Sequence, residues 1–548
     1  MPDYDAIVIG SGAGGLTAAV ALARAGCRVI VFEQHYLPGG WCHSFNRGGY
    51  QFSPGIHYIG GVQPGGLMRR LYEGLGVSGD LTFMELNPDA IDHLQIGGAR
   101  FDVPRGRAAF GDRLKGRFPA ESRGIDAYLA YCEGMSDQLL STFPPETASD
   151  LVRMPWRLRR VLRHGMTSLD RYLRQRIADP TLRAWLSMQS GNYALPPDEV
   201  SLVQHAAVIS HYFDGGFYPR GGGRALPRAF LRALRRHGGE IKVRSPVAEI
   251  LVAGRQVRGV RLADGSAVSA PIVISNADPG VTYGKLLSAE HLDRATWRRL
   301  RRTRYSVAAL SLFFAVDADL RGMGLDSGNY WYVHDREDIH RLYAVARDPD
   351  PTRVESMPFV FLTVTSLKDP TKRSPGQPHT CEAFTFVNYD AFQRWVGSDS
   401  GARKGDYQRL KARLKARMLS RLEAVVPGIS AKVVFSELGT PLTNAHFVAS
   451  SRGSLYGTEK VLSNIGPFAF STRGPVPGLF LCGASTLGHG VAAASLSGLT
   501  AAAQSLGVRR GELLNADGPP LKIYQSEDPT LWPQTEQKMQ RTAQPSTT

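Results

Sequence analysis

The chain of 548 residues is too long for one compact core, so we expect at least two domains. Its hydrophobic fraction of 43% and charged fraction of 21% exclude an intrinsically disordered protein. A net charge of +16 suits an anionic partner, but no nucleic-acid-binding module is visible, so nucleic acid is not an expected partner. Five scattered cysteines without a C-x-x-C pair predict neither a disulfide framework nor a metal site.

The first element is an apolar strand, Ala6 to Ile9, which runs into a glycine turn and a helix ending near Ala25. A second apolar strand, Val29 to Phe32, ends on Glu33. Strand, glycine turn, helix, strand and acid in this order form a dinucleotide-binding unit. We therefore predict a Rossmann-like α/β fold in which phosphates bind at the helix N-terminus and Glu33 binds ribose hydroxyls.

The glycines of this turn have separate roles. Gly10 permits the tight turn, Gly12 lets the backbone approach a pyrophosphate, and Gly15 lets the helix pack closely on the strand. The motif lies at the extreme N-terminus, the pair Gly39 and Gly40 follows soon after it, and a glycine-rich segment near the C-terminus returns to it. These features favour FAD over a nicotinamide, because FAD is long enough to be held by several segments.

The stretch from Leu151 to Arg183 carries nine arginines interleaved with aromatic and aliphatic residues at helical spacing. This pattern is typical of a helix on an anionic membrane surface, and a solvated helix packed on its own domain is the alternative.

The cofactor strand begins almost at Met1, which predicts no signal peptide, and the longest apolar run, Ser306 to Val316, is too short to span a bilayer. We expect a cytoplasmic protein, peripheral on the inner face of the membrane.

The chain returns to the cofactor unit twice, once through Gly221 to Gly223 and the helix that follows, and once through Gly478 to Gly483 and a helix over Val491 to Ser505. Apolar runs at Val307 to Val316 and Phe359 to Thr365 predict buried strands beneath a pocket.

We expect a discontinuous FAD-binding domain with an interleaved α+β substrate domain and a polar, loosely ordered tail. Their boundaries are 1–70, 211–285 and 439–510 for the first, 71–210 and 286–438 for the second, and 511–548 for the tail.

Several long phrases are compositionally unusual: EQHYLPGGWCHSF, GYQFSPGIHYIGG, YPRGGGRALPRAF, VISNADP and GTPLTNAHFVASSRGSLYGTE. To about residue 506 the chain resembles the phytoene desaturase, carotenoid isomerase and retinol saturase family of FAD-dependent oxidoreductases. The resemblance implies a GR2-type flavoprotein that acts on C=C bonds of a retinoid or carotenoid polyene, most like an all-trans-retinol 13,14-reductase. It also implies non-covalent FAD and a long apolar tunnel beside the flavin.

The same resemblance implies the cofactor contacts. A backbone group near Val247 meets the adenine, Gly483 lies by the pyrophosphate, and the helix N-terminus near Val491 points toward the flavin ring. The full set of cofactor residues is Gly10, Gly12, Ala13, Gly14, Gly15, Glu33, Gln34, Gly39, Gly40, Val247, Gly483 and Val491.

Candidates for proton transfer are His57 and Tyr58, which follow the first unit where the chain passes near the flavin, and His489, before the C-terminal helix. His43 is a further alternative, and a structural role for any of these histidines stays open. Tyr456 and Asn444 are candidates either to line the pocket or to form turns.

Two alternative functions remain at this point. The segment GASTLGHGVAAASLSGL begins in the style of the carotenoid desaturases, so a phytoene desaturase or a carotenoid cis-trans isomerase is the main alternative. A non-catalytic prenyl-lipid-binding escort is less favoured, because the glycine fingerprint and Glu33 are intact. No separate nicotinamide-binding motif is visible, so the electron donor or acceptor stays open among another protein, a quinone and oxygen.

Overall fold

The computed structural model describes residues 1–536 except 143, 144, 146, 147, 335–337, 351, 352, 375, 399–402, 404, 516 and 517. The strands in chain order are β1 (Ala6–Ile9), β2 (Val29–Phe32), β3 (Phe45–Arg47), β4 (Tyr50–Phe52), β5 (Thr82–Glu85), β6 (Asp92–Ile96), β7 (Ala99–Val103), β8 (Phe217–Pro219), β9 (Glu240–Lys242), β10 (Val247–Ala253), β11 (Gln256–Leu262), β12 (Ala267–Ser269), β13 (Ile272–Ser275), β14 (Ala308–Val316), β15 (Asn329–Val333), β16 (Phe359–Val364), β17 (His379–Val387), β18 (Val433–Gly439), β19 (Leu479–Leu481) and β20 (Lys522–Gln525).

The helices in chain order are α1 (Ala13–Arg24), α2 (Leu67–Gly74), α3 (Arg107–Arg117), α4 (Ser122–Cys132), α5 (Met135–Thr142), α6 (Ala148–Arg157), α7 (Arg159–His164), α8 (Leu169–Arg174), α9 (Pro180–Met188), α10 (Leu202–Tyr212), α11 (Ala225–Arg236), α12 (Pro279–Val281), α13 (Arg294–Arg302), α14 (Asp338–Arg347), α15 (Thr365–Lys368), α16 (Asp406–Glu423), α17 (Pro441–Phe447) and α18 (Gly490–Leu506).

A parallel sheet with the order β19-β13-β1-β2-β9 carries the nucleotide-binding unit. Ala6 of β1 pairs with Ile272 on one side and Val29 on the other. The inner strands read as continuous apolar runs because helices or a small sheet cover both faces. The Rossmann-like α/β fold predicted from the N-terminal motif is confirmed.

Two glycines allow close backbone contacts around α1. Where α18 packs on α1, a Cβ on Gly498 would lie 2.0 Å from the carbonyl oxygen of Gly14. Where α1 packs on the turn after β1, a Cβ on Gly15 would lie 2.1 Å from the carbonyl oxygen of Gly10. No other residue fits at these two positions without moving the backbone. Gly15 therefore allows the close helix–strand contact that the sequence predicts.

A second, mixed sheet has the order β18-β14-β17-β16-β15-β6-β7. One face packs on α16 through an apolar core, while the other carries two transverse rows of side chains. Residues two apart on a strand share a face, so the rows lie side by side. The first row, called here the aromatic row, is Leu94, Trp331, Phe361 and Phe384, and the second, called the polar row, is Asp92, Asn329, Thr363 and Glu382.

The arginine-rich stretch from Leu151 to Arg183 is not one amphipathic helix, and that prediction is wrong in its continuity. Helix α6 contains Pro155 and ends at Arg157, and Gly165 follows the end of α7. Proline and glycine interrupt the helical hydrogen bonding there. Within the described residues, no helix combines the length and apolarity needed to cross a bilayer.

The C-terminal segment is also more ordered than predicted over the residues that the structure describes. Strand β20 pairs in parallel with β5, and Trp532 is buried with its indole N–H donating to the carbonyl oxygen of Gln525 at 2.8 Å. Ser526 Oγ donates to the carbonyl oxygen of Lys368 at 2.7 Å. The expectation of a loosely ordered extension is therefore wrong for 518–536, and residues 537–548 lie outside the described part.

Candidate active site

One continuous cavity joins the nucleotide-binding unit to the second sheet. At one end it is lined by Glu33 and Val247, and at the other by the side chains of Trp331, Phe361 and Phe384 from the aromatic row. The apolar strands predicted at Val307 to Val316 and Phe359 to Thr365 are β14 and β16, and both contribute lining residues.

Most of the predicted cofactor residues line this cavity. Gly15 and Gly39 are not among the lining residues of the described chain: Gly15 packs behind the turn, and the Gly39 N–H donates to Ser11 Oγ at 2.9 Å. Both shape the turn from behind the cavity wall. The predicted residues that do line the cavity are Gly10, Gly12, Ala13, Gly14, Glu33, Gln34, Gly40, Val247, Gly483 and Val491.

Glu33 ties the glycine turn to the second strand. Its Oε2 accepts hydrogen bonds from the N–H of Ser11 at 2.9 Å and from Ser11 Oγ at 2.5 Å, and its Oε1 accepts from the N–H of His35 at 2.9 Å. The carboxylate is thus held rigidly at the cavity wall, where lone pairs remain for ribose hydroxyls.

The shape of this end fits an extended dinucleotide. A Cβ on Gly14 would lie 2.6 Å from Asn276 Oδ1 and 2.8 Å from the carbonyl oxygen of Ala494, so three segments converge on the turn. Gly10 has φ +87°, a conformation that favours glycine. The first turn of α18 lines the cavity, and a helix N-terminus at this place suits negative charge on a reduced flavin.

His57 and Glu382 meet at the aromatic row. His57 lines the cavity, and its Nδ1 lies 3.3 Å from Oε2 of Glu382, a carboxylate at the end of the polar row. The His57 ring lies 5.0 Å from Phe361 and 5.8 Å from Phe384, measured between ring centroids. An imidazole held between aromatic rings and a buried carboxylate is suited to carry a proton.

Tyr58 also lines the cavity and reaches the other end of the polar row. Its hydroxyl donates to Asp92 Oδ2 at 3.3 Å and accepts from Asn192 Nδ2 at 3.1 Å. Burial raises the pKa of Tyr58 well above its usual value, and the charge of Asp92 adds to this effect. The hydroxyl therefore keeps its proton at neutral pH.

His489 lines the cavity at the N-cap of α18, and its environment argues against proton donation. Its Nε2 lies 2.9 Å from the carbonyl oxygen of Asn192, to which it donates as N–H. Burial lowers the pKa of His489 to about 4, and Lys460 contributes further. Burial thus disfavours the charged imidazole, and His489 stays a candidate whose proton transfer would have to overcome this cost.

Of the remaining residues that the sequence suggests for the pocket, two line the cavity and one does not. Tyr456 lines the cavity and donates from its hydroxyl to the carbonyl oxygen of Gly191 at 3.0 Å. His43 lines the cavity with Trp41, and burial lowers its pKa. Asn444 is buried on α17 and is not among the lining residues of the described chain.

Sequence reasoning missed Asp92, Lys368 and Glu382, which lie beneath the cavity wall. Asp92 is fully buried and accepts from Gln189 Nε2 at 2.6 Å and from Trp331 Nε1 at 2.9 Å. Burial raises its pKa, and burial lowers the pKa of Lys368 to about 7. A carboxylate in a strand-forming segment that has no other Asp, Glu, Lys or Arg, such as Glu382 in HTCEAFTFV, is the signal that could have found this cluster.

The profile of the flavin containing amine oxidoreductase family matches residues 13–506. The chain belongs to this family. It is therefore a flavoprotein oxidoreductase with FAD as cofactor, and the residues above would hold the adenine, pyrophosphate and flavin parts.

Relatives and solved structures agree with this assignment. The chain is 32% identical over 523 residues to the all-trans-retinol 13,14-reductase of Danio rerio, covering 91% of this chain and 85% of that protein. It is 32% identical to the Homo sapiens protein of the same name, covering 87% and 82%, and 27% identical to the chloroplastic prolycopene isomerase of Arabidopsis thaliana, covering 91% and 82%. The structure of putrescine oxidase bound to putrescine shares the fold, with TM-score 0.60, 16% identity, and coverage of 92% and 99%.

Proposed function

We propose that this flavoprotein reduces a C=C bond of a retinoid or carotenoid polyene, most like an all-trans-retinol 13,14-reductase. The observation that carries the proposal is His57, which has Glu382 behind it and lines one continuous cavity together with the aromatic row and the glycine turn. An aromatic floor accommodates a flat conjugated chain, and relatives at 32% identity bear the name of that activity.

The reaction needs a hydride at one alkene carbon and a proton at its neighbour. FAD, when bound and reduced, supplies the hydride. In this proposal His57 supplies the proton from its ring and Glu382 stabilises the imidazolium before transfer. The aromatic row excludes water from the bond, so the proton comes from a defined group.

The polar side of the cavity suits a terminal alcohol. In retinol the carbon that bears the hydroxyl is bonded directly to C14, so the oxygen lies within a few ångströms of the reacting bond. Tyr58 and Asn192 both line the cavity and hydrogen-bond to each other, offering a hydroxyl and an amide to an alcohol. We propose that this pair orients the alcohol while the hydrocarbon lies on the aromatic row.

Carotenoid isomerisation is the second candidate, because prolycopene isomerases share 27% identity with the chain. Product mass separates the possibilities. Reduction adds two hydrogen atoms to the polyene, desaturation removes two, and isomerisation leaves the mass unchanged. Mass spectrometry of the product from FAD-loaded enzyme under reducing, anaerobic conditions tests the proposal.

We also propose a membrane-facing surface next to the cavity. Trp156, Leu162 and Met166 are 73%, 67% and 75% exposed on or beside α6 and α7, among exposed arginines. Helix α5 packs on α6, and its residues Ser136 and Leu139 line the cavity. An apolar, basic surface at this place suits an anionic bilayer from which a polyene enters.

A further inference from the structure

A buried ammonium group lies beneath the proposed proton donor. Lys368, at the end of the short helix α15, is fully buried, and its Nζ donates to the carbonyl oxygen of His57 at 2.6 Å and to Asn329 Oδ1 of the polar row. The same Nζ lies 5.8 Å from the ring centroids of Tyr58 and Tyr218. The Lys368 ammonium therefore contacts both the main chain of His57 and the polar row, which ends in Glu382, the carboxylate that pairs with His57.

The polar row has a consistent arrangement across four strands. Asp92, Asn329, Thr363 and Glu382 are direct cross-strand neighbours, which places a carboxylate at each end and neutral groups between. Asn329 links the two charges by donating from Nδ2 to Asp92 Oδ1 at 3.0 Å and accepting from Lys368. Such a row in a sheet core is retained only when its charges are compensated.

The charges around Lys368 and Glu382 come from several elements. Glu382 accepts a hydrogen bond through Oε1 from the N–H of Ser53 at 2.6 Å, and its Oε2 lies 3.3 Å from His57 Nδ1. The groups that act on Lys368 or Lys372 are Asp92, Asp326, Asp369, Glu382 and Arg224.

We propose that Lys368 is the positioning residue of the proton-transfer site: its ammonium fixes the His57 main chain and, together with Asp92, sets the charge beneath the His57–Glu382 pair. The inference rests on the proposed function and adds to it the group that controls when His57 is protonated. Lys368 is not itself among the lining residues of the described chain, so it acts through its hydrogen bond to His57.

The test is an NMR titration of FAD-loaded protein carrying 13C-labelled histidine, with His57→Asn used to assign the His57 signal. Lys368→Met removes a positive charge, so the His57 ring should take up its proton at a higher pH, by about one pH unit. Asp92→Asn should move the midpoint the other way, and the double variant should return it toward the wild-type position. Unchanged midpoints in all three would overturn the proposal.

The matched control is Lys115→Met. Lys115 of α3 pairs with Asp126 of α4 at 3.2 Å, and neither residue lines the cavity that the described residues form. Its substitution should leave the His57 midpoint unchanged. If Lys368→Met does not fold, Lys368→Gln, which removes the same charge but keeps a polar side chain, is titrated in its place and should move the His57 midpoint in the same direction.

A kinetic measurement separates this inference from the proposed function. The pH dependence of polyene reduction by Lys368→Met should shift in the same direction as the His57 signal. The titration needs no polyene, so a His57 shift without reduction would contradict the reductase proposal and leave the role of Lys368 standing. A pH profile of reduction that stays in place while the rate falls would show a merely structural lysine.

Discussion

Glu382 and Phe384 stand on the same face of β17, two residues apart, so that a buried carboxylate lies beside the aromatic floor of the cavity. His57 comes down between them from the loop after β4, with its Nδ1 3.3 Å from Glu382 Oε2 and its ring beside Phe384. The fold thus places one proton-carrying group at a surface built for a flat apolar substrate.

Removing either member of the pair should slow proton transfer without removing FAD. His57→Asn and Glu382→Gln should each lower the rate of polyene reduction by about 100-fold, the lower part of the range for general acid catalysis. Single-turnover reoxidation of reduced enzyme by polyene measures this. The control is His379→Asn, a buried histidine of the same strand that lies outside the cavity lining of the described residues.

The contact between α1 and α18 should tolerate no side chain at Gly498. A Cβ there would lie 2.0 Å from the Gly14 carbonyl oxygen, so Gly498→Ala should separate the helices, cost about 1–3 kcal/mol of unfolding free energy and weaken FAD binding. Gly116→Ala in α3 is the matched control, because nothing lies within 4 Å of its Cβ. Equal effects of both substitutions on FAD affinity would contradict the packing argument.

Buried neutral histidines should make the fold sensitive to acid. Burial lowers the pKa of His205 to about 3, and its ring nitrogens contact the hydroxyls of Tyr128 and Tyr193 at 2.7 and 2.8 Å. Between pH 6.5 and 4 the unfolded chain binds a proton there and the folded chain does not, so stability falls as pH falls. For one such group the unfolding free energy falls by about 1.4 kcal/mol per pH unit. His205→Gln should therefore reduce the pH dependence of the unfolding free energy, measured by urea unfolding, by this amount.

The exposed apolar residues around α6 and α7 should decide membrane binding. Replacing Trp156, Leu162 and Met166 by serine removes apolar area but keeps the arginines, and should reduce co-sedimentation with anionic vesicles at least tenfold. Leu531→Ser, at an exposed leucine of the C-terminal segment, is the control. If the triple variant binds vesicles as the wild type does, the surface is not the docking site.

The amino-acid sequence alone predicts those parts of the fold and site that depend on the pattern of residues within a short segment. The glycine turn, Glu33 and the strands β14 and β16 follow from periodicity and residue type over short windows. The cluster of Asp92, Lys368 and Glu382 does not, because it exists only through the pairing of distant strands. The register between such strands is a long-range property that one sequence does not display.

Two sequence predictions failed for reasons visible in particular residues. Pro155 and Gly165 disfavour one continuous helix between Leu151 and Arg183, whereas the spacing of the apolar residues favours one. The tail reads as polar, yet Trp532 gives it one large apolar group, and β5 offers it an open strand edge. Tertiary pairing, absent from local composition, ordered that segment.

The most direct test is anaerobic. Dithionite-reduced, FAD-loaded enzyme is mixed with all-trans-retinol while the polyene and flavin absorption bands are followed. A shift of the polyene band to shorter wavelength with simultaneous flavin reoxidation is the predicted result, because reduction of one double bond shortens the conjugation. An unchanged polyene band with flavin that stays reduced would contradict the assignment of retinol reduction to this chain.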